Sequence, residues 1–223
     1  MIPAKFLSKI GIHELEIEGV KVKVSHVTDN FSVIDHKINQ LRASLNKQKL
    51  VVGIDIKVTV DQKQKSQNSD LLILFGGNCC SVIKLDNNLI INFPSSILNL
   101  LADNNICVVG RSNSMKLSRS NVSRSISLSG VVEVGQLAAR VLKKPNLSKC
   151  GLEELDKEIR QTVKDSKANV ATSLPGTGAE AATCPNWKAM VFSDEEIKYA
   201  IHDAYTCGVI GDKLLRILDA VTL

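Results

Sequence analysis

The sequence predicts an α/β fold, a mixed β-sheet flanked by helices, and three observations carry that expectation. Short apolar runs rich in β-branched residues alternate along the chain with stretches of helical period. The core material is Val, Ile, Leu and Ala, since 44% of the 223 residues are hydrophobic but only 4% aromatic. That length buries a sizeable core, so one domain is expected over residues 1–223, its core within about 50–220. Disorder, collagen-like repeats, a disulfide-stapled miniprotein and an aromatic-rich stacking platform are excluded.

Taken in order, residues 13–27 alternate strictly. Leu15 and Ile17 are answered by Val20, Val22 and Val24, and Glu14, Glu16 and Glu18 face Lys21 and Lys23 around Gly19, which predicts a β-hairpin. Phe31, Val33, Ile34, Ile38, Leu41 and Leu45 predict an amphipathic helix with a basic end at Lys47 and Lys49. This N-terminal hairpin and helix, over 10–48, are expected to precede the core. The run Leu50–Ile56 reads as the central strand, buried on both faces. A polar turn over 61–69 leads to strands at 71–75 and 79–85, completing a meander. Pro94 and Ser95 open a helix over 97–102, and another apolar strand follows at 106–109. Beyond a serine-rich stretch, helices are expected at 131–143 and 152–163, then a polar loop over 164–185. The last helix runs from about 194 to 218, its start marked by the capping box Ser193 and Glu196.

Six cysteines (Cys79, Cys80, Cys107, Cys150, Cys184 and Cys207) form no C-x-x-C pair and have no His at zinc spacing, so buried reduced thiols are expected. The first residues lack the continuous apolar stretch of a signal peptide, and no later stretch suggests a membrane span. An intracellular protein, in nucleus or cytoplasm, is the expectation, which leaves the sequons at Asn30, Asn121 and Asn146 unmodified. A net charge of +5 permits contact with phosphates without marking a DNA-coating protein.

Two places carry chemistry. Tyr199 and Asp203 stand four apart, so a phenol and a carboxylate share one helix face. Such a carboxylate can bind a divalent metal and such a phenol can position a water, although the same pair also serves purely structural ends. Asp55 lies midway through an apolar strand, where an unpaired charge costs several kcal/mol. A metal, a basic partner or an exit to solvent would each compensate it.

An ordered series of segments resembles one family. Val51-Val52-Gly53-Ile54-Asp55-Ile56, then Leu71–Leu74 with Gly77-Asn78-Cys79-Cys80, resembles the opening strands of the plant Werner-type 3′–5′ exonucleases, which are DnaQ-like DEDDy enzymes of ribonuclease-H-like fold. Leu100–Gly110 is similar to the helix and strand before the second motif, Glu133–Ala138 to Asp-Leu-Gly-Glu-Leu-Ala, and Gly151–Leu155 to Gly-Leu-x-x-Leu. Trp187-Lys188-Ala189 with 193–205 resembles the third motif and its approach. The resemblance spans roughly residues 10–218.

It implies a ribonuclease-H-like mixed sheet and a site in which carboxylates hold two Mg²⁺ or Mn²⁺ ions. By residue, Asp55 matches the first Asp, Tyr199 the water-positioning Tyr and Asp203 the last Asp, which makes Asp55 and Asp203 the metal candidates. Lys57 stands where the family has Glu or Gln. After Gly110 no acid occurs before Glu133, and Asn113 or Ser114 fills the place of the second-motif Asp. Strand alternation points Lys57 to the side of Asp55, so a salt bridge to Asp55, Asp203 or both is one expectation, and a stem that carries its charge to solvent is the other.

The stretch 111–130 holds Arg111, Lys116, Arg119 and Arg124, eight serines and no acid. Two readings stand for it: phosphate contacts to a single strand, or a solvated basic loop. The Gly176 and Gly178 loop lacks the Lys-Ser/Thr of a phosphate loop, His202 is expected partly exposed and structural, and Trp187 to pack the last helix. The resemblance therefore implies a protein for 3′ ends of single-stranded RNA or DNA with impaired or lost hydrolysis. An active enzyme with a third ligand at Glu133 or Asp103, and a module assembling with itself or with intact paralogues, are the alternatives.

Overall fold

Strict alternation makes a hairpin of β1 (Ile12–Ile17) and β2 (Val20–Val27) in the computed structural model, which describes residues 12–17, 19–27, 30–45, 50–61, 66–111, 116–119, 122–128, 130–165, 187 and 192–221. Glu14 pairs with Lys23 and Glu16 with Lys21, and Gly19 takes the turn at φ 75°, where a side chain would be strained. Helix α1 (Phe31–Ser44) follows, capped by Asn30, whose side chain accepts from the Val33 amide at 3.2 Å. Lys47 and Lys49 lie outside the described residues.

The meander is β3 (Val51–Asp61), β4 (Ser66–Gly76) and β5 (Cys79–Lys84). Its first hairpin is longer than the polar composition of 61–69 suggested, because the ladder continues to Asp61 opposite Ser66. Two short helices come next, α2 (Asn87–Ile91), capped by Asp86, and α3 (Ser95–Leu101). Strand β6 (Cys107–Gly110) leads to a separate hairpin, β7 (Lys116–Arg119) and β8 (Val122–Ser127). The stretch expected as helix from 131 opens instead as β9 (Val131–Glu133) and becomes α4 (Val134–Val141), with Glu133 as its cap. A 3₁₀ turn (Pro145–Lys149), α5 (Leu152–Asp165) and α6 (Asp194–Val221) complete the order. The capping box of α6 forms in both directions, Ser193 N to Glu196 Oε2 at 2.8 Å and Glu196 N to Ser193 Oγ at 3.2 Å.

Seven strands make one mixed sheet in the order β1-β2-β5-β4-β3-β6-β9. Strand β4, not β3, is therefore its middle. Strand β3 runs antiparallel to β4 and parallel to β6. The N-terminal hairpin belongs to this sheet through the parallel pair β2 and β5. One face is covered by α1, α2, α3 and the β7–β8 hairpin, the other by α4, α5 and α6. No helix among the described residues is long and apolar enough to cross a membrane.

Helix α6 meets β3 at backbone distance. A Cβ on Gly53 would lie 1.9 Å from the Ala204 carbonyl oxygen and 2.7 Å from the Gly208 nitrogen. Both obstacles are backbone, so relief requires the helix to move. Gly53→Ala is expected to lower stability in urea unfolding by about 3 kcal/mol; a variant of wild-type stability would show that the helix can lift without cost.

Candidate functional site

Period two along β3 puts Gly53, Asp55 and Lys57 on the α6 side of the sheet, and the helical period brings Tyr199 and Asp203 onto one face of α6. The residues meet. Lys57 Nζ lies 2.8 Å from Asp55 Oδ2 and 3.3 Å from Asp203 Oδ2, so one ammonium bridges strand and helix. The pairing of β3 with β4 shifts register between Lys57 and Val58, immediately after the residue that makes the bridge. Lys57 and Asp55 side chains are only 14% and 10% exposed, and Asp203 29%, which is shielded enough for the charges to interact strongly.

The aromatic surroundings hold the same cation. Lys57 Nζ stands 5.6 Å from the centre of the Tyr199 ring, and that ring stacks on Trp187 at 6.1 Å with 12° between planes. Trp187 is buried, whereas Tyr199 is 47% exposed. His202, expected to be structural, is partly exposed and reaches Asp203, Nδ1 to Oδ1 at 3.3 Å, although helix geometry separates adjacent residues by about 100°. The hydrogen bond from His202 holds the Asp203 carboxyl far below its ordinary range, against the opposing effect of burial and with the help of Lys57. Burial alone would lower Lys57, but the charges and hydrogen bonds of Asp55 and Asp203 outweigh it and raise the amine.

The remaining sequence candidates are distributed around this centre. Arg111 follows the last residue of β6 and is exposed. Glu133, on the neighbouring strand, spends a carboxylate oxygen capping α4, accepting from the Gln136 amide at 2.7 Å. Asp103 lies before the start of β6 and pairs with Arg42 at 3.0 Å, far from the sheet edge that Gly110 shares with Ile54. The β7–β8 hairpin bears Lys116, Arg119 and Arg124 and packs against β4 and α2, with Leu117 in the core cluster on the face opposite α6. The side chains of Lys116, Arg119 and Arg124, and all of Ser114, fall outside the described residues.

Two divalent ions do not fit this arrangement. Among the described residues no group of three or more His, Cys, Asp or Glu side chains is placed to hold a metal, and the space between Asp55 and Asp203 is taken by an ammonium. Mg²⁺ wants near-octahedral oxygen ligands, which two carboxylates already bonded to Lys57 and His202 do not offer.

With the geometry established, comparison with solved structures identifies the class of fold. The catalytic core of RRP6 from Trypanosoma brucei overlays with a TM-score of 0.58 at 13% identity, covering 100% of this chain and 54% of that one. Escherichia coli RNase D, an exoribonuclease involved in structured RNA processing, overlays with a TM-score of 0.53 at 15% identity, covering 87% of this chain and 45% of that one. The chain thus spans about half the length of these structures. No protein-family model and no curated protein sequence matches it. The fold is the ribonuclease-H-like α/β fold of these exonucleases, a seven-stranded mixed sheet flanked by helices.

Two outcomes follow from the ionic clasp. Lys57→Gln leaves two shielded carboxylates facing each other and is expected to cost about 3–5 kcal/mol in denaturant unfolding. Adding Asp203→Asn should recover much of that loss. Because the folded carboxyl of Asp203 titrates below its unfolded value of about 3.9, its contribution is complete above that pH and is lost as the pH falls through the folded value. Melting temperatures measured down the acid range should therefore fall less steeply in Asp203→Asn than in wild type.

Proposed function

We propose that this chain binds the 3′ ends of single-stranded RNA or DNA on a 3′–5′ exonuclease scaffold and has lost the hydrolytic step. The observation that carries the reading is the Lys57 ammonium between Asp55 and Asp203. The likeness in fold to RRP6 and RNase D supports the scaffold, and the grouping of Asp55, Tyr199 and Asp203 around Lys57 supports a site where α6 crosses β3.

The residues divide the work as follows. Asp55 and Asp203 keep the carboxylates of a cleavage centre, but Lys57 neutralises one charge and supplies N–H donors in place of a Lewis acid. An ammonium does not lower the pKa of water as a divalent ion does, so no hydroxide forms at the phosphorus. Tyr199 is held by Trp187 with its ring partly open to solvent, a surface for the terminal sugar and base. Sequence-tolerant, salt-sensitive phosphate contacts come from Arg111 at the site and, where the strand runs on past the sheet, from Lys116, Arg119 and Arg124 of the hairpin on its opposite face. The site belongs to a protein of nucleus or cytoplasm in this reading, alone or assembled with copies of itself or with intact paralogues.

A labelled single strand incubated with the protein and excess Mg²⁺ or Mn²⁺ should be retained at low salt and stay full length. Stepwise shortening would overturn the loss of hydrolysis. Failure to retain RNA or DNA at low salt would overturn the binding role itself.

A further inference from the structure

Resting on the end-binding reading, we propose that Arg111 is the phosphate anchor of the site. It takes one phosphodiester monoanion of the bound strand, whereas Lys57 offers the strand no net charge. Strands β3 and β6 run parallel with Ile54 opposite Gly110, where their ladder ends, so Arg111, the next residue of the chain, follows β6 out beside Asp55 of the continuing β3. Alternation gives Arg111 the same face as Val109, which packs in the cluster formed with α4, α5 and α6. Cys207, one turn beyond Asp203, reports the neighbourhood. Burial raises its thiol most, Asp203 and Asp55 raise it further, the Arg111 guanidinium opposes them, and Glu133 adds to the rise. Asp55, Asp203, Arg111 and Glu133 thus all act on that one thiol.

Their charges are unequally committed. Lys57 is held between two carboxylates, and the three groups together sum to −1. Glu133 is turned to the first turn of α4. Arg111 is exposed, and among the described residues no ion pair or hydrogen bond engages its guanidinium. A planar fork of N–H donors free at the rim of a site of net negative charge suits a single phosphate diester, which carries one charge. The dianion of a terminal phosphate monoester would meet the repulsion of Asp55 and Asp203.

The test is a cycle of protein and ligand changes read by fluorescence anisotropy on the full chain. Wild type and Arg111→Gln are each titrated with a short single strand whose 3′-terminal linkage is either natural or a neutral methylphosphonate. Arg111→Gln should weaken binding of the natural strand about tenfold, as loss of a charge-assisted pair implies. The dependence of log K on log salt should become shallower by about 0.7, the share of one phosphate on a single strand. The methylphosphonate should cost the wild type a similar factor and cost Arg111→Gln nothing. Tight binding by wild type with an undiminished methylphosphonate penalty in Arg111→Gln, or with an unchanged salt slope, would overturn the assignment of Arg111 while leaving the end-binding reading in place. Absence of binding by wild type to either strand would overturn that reading, and this assignment with it.

Discussion

The close approach of α6 to β3 is the constraint on which the site depends. Helix and strand touch through backbone at Gly53, and the glycine is reciprocated on the helix, where a Cβ on Gly208 would sit 2.8 Å from Phe75 Cδ1. Phe75 in turn meets the edge of Tyr205 at 4.9 Å, so the contact is closed by an aromatic pair on the side of β4. Small residues along this line, Ala200, Ala204 and Gly208, keep the helix low over the sheet. Only at that height does one lysine stem span from a carboxylate on the strand to a carboxylate on the helix. A bulkier seam would part Asp55 from Asp203 and leave Lys57 paired with its own strand.

Once the backbone brings the two acids together, electrostatics requires a cation. Two partly shielded carboxylates repel, and neither is exposed enough for water to screen them fully. A tethered ammonium answers this without the entropic loss of capturing an ion from solution, and the stem is already ordered by its strand. Hydrogen bonding from His202 to the second oxygen of Asp203 completes that carboxylate's partners. The same choice has a chemical consequence. A divalent ion both balances charge and activates water, whereas an ammonium does only the first. Charge balance and chemistry are thus separable in this fold, and the proposed binding without hydrolysis rests on keeping one of them.

Much of the fold was legible because it is written in local period. The β1–β2 alternation, the apolar run of β3, the Ser193 and Glu196 box and the four-residue spacing of Tyr199 and Asp203 are all short-range signals. What escaped is long-range or brief. Strand β9 has three residues, too few to show a period before α4 begins. Helix α2 has five and is announced only by the Asp86 cap. The β7–β8 hairpin is polar on its serines and anchored by Leu117, so its composition reads as a loop. Neither the parallel pairing of β2 with β5 nor the middle position of β4 can be inferred from one strand's own residues. At the site, Asp55 and Lys57 shared a face by simple alternation, whereas the stacking of Tyr199 on Trp187, twelve residues before it, has no period to announce it.

The positive balance of the chain has to be read against this geometry. Lys57 counts toward the net +5, yet its charge is answered twice over by Asp55 and Asp203 and draws no anion. A strand of nucleic acid approaching that centre meets a net negative charge, so attraction must come from cations that flank it. Strand β6 carries the chain to the sheet edge beside Asp55, and Arg111 is its next residue. The basic hairpin that comes next among the described residues packs on the opposite face of the sheet. The cation that holds the protein together and the one proposed to face a ligand therefore belong to adjacent stretches of backbone, Lys57 in β3 and Arg111 just after β6. The parallel register of those strands is what allows one edge to serve both.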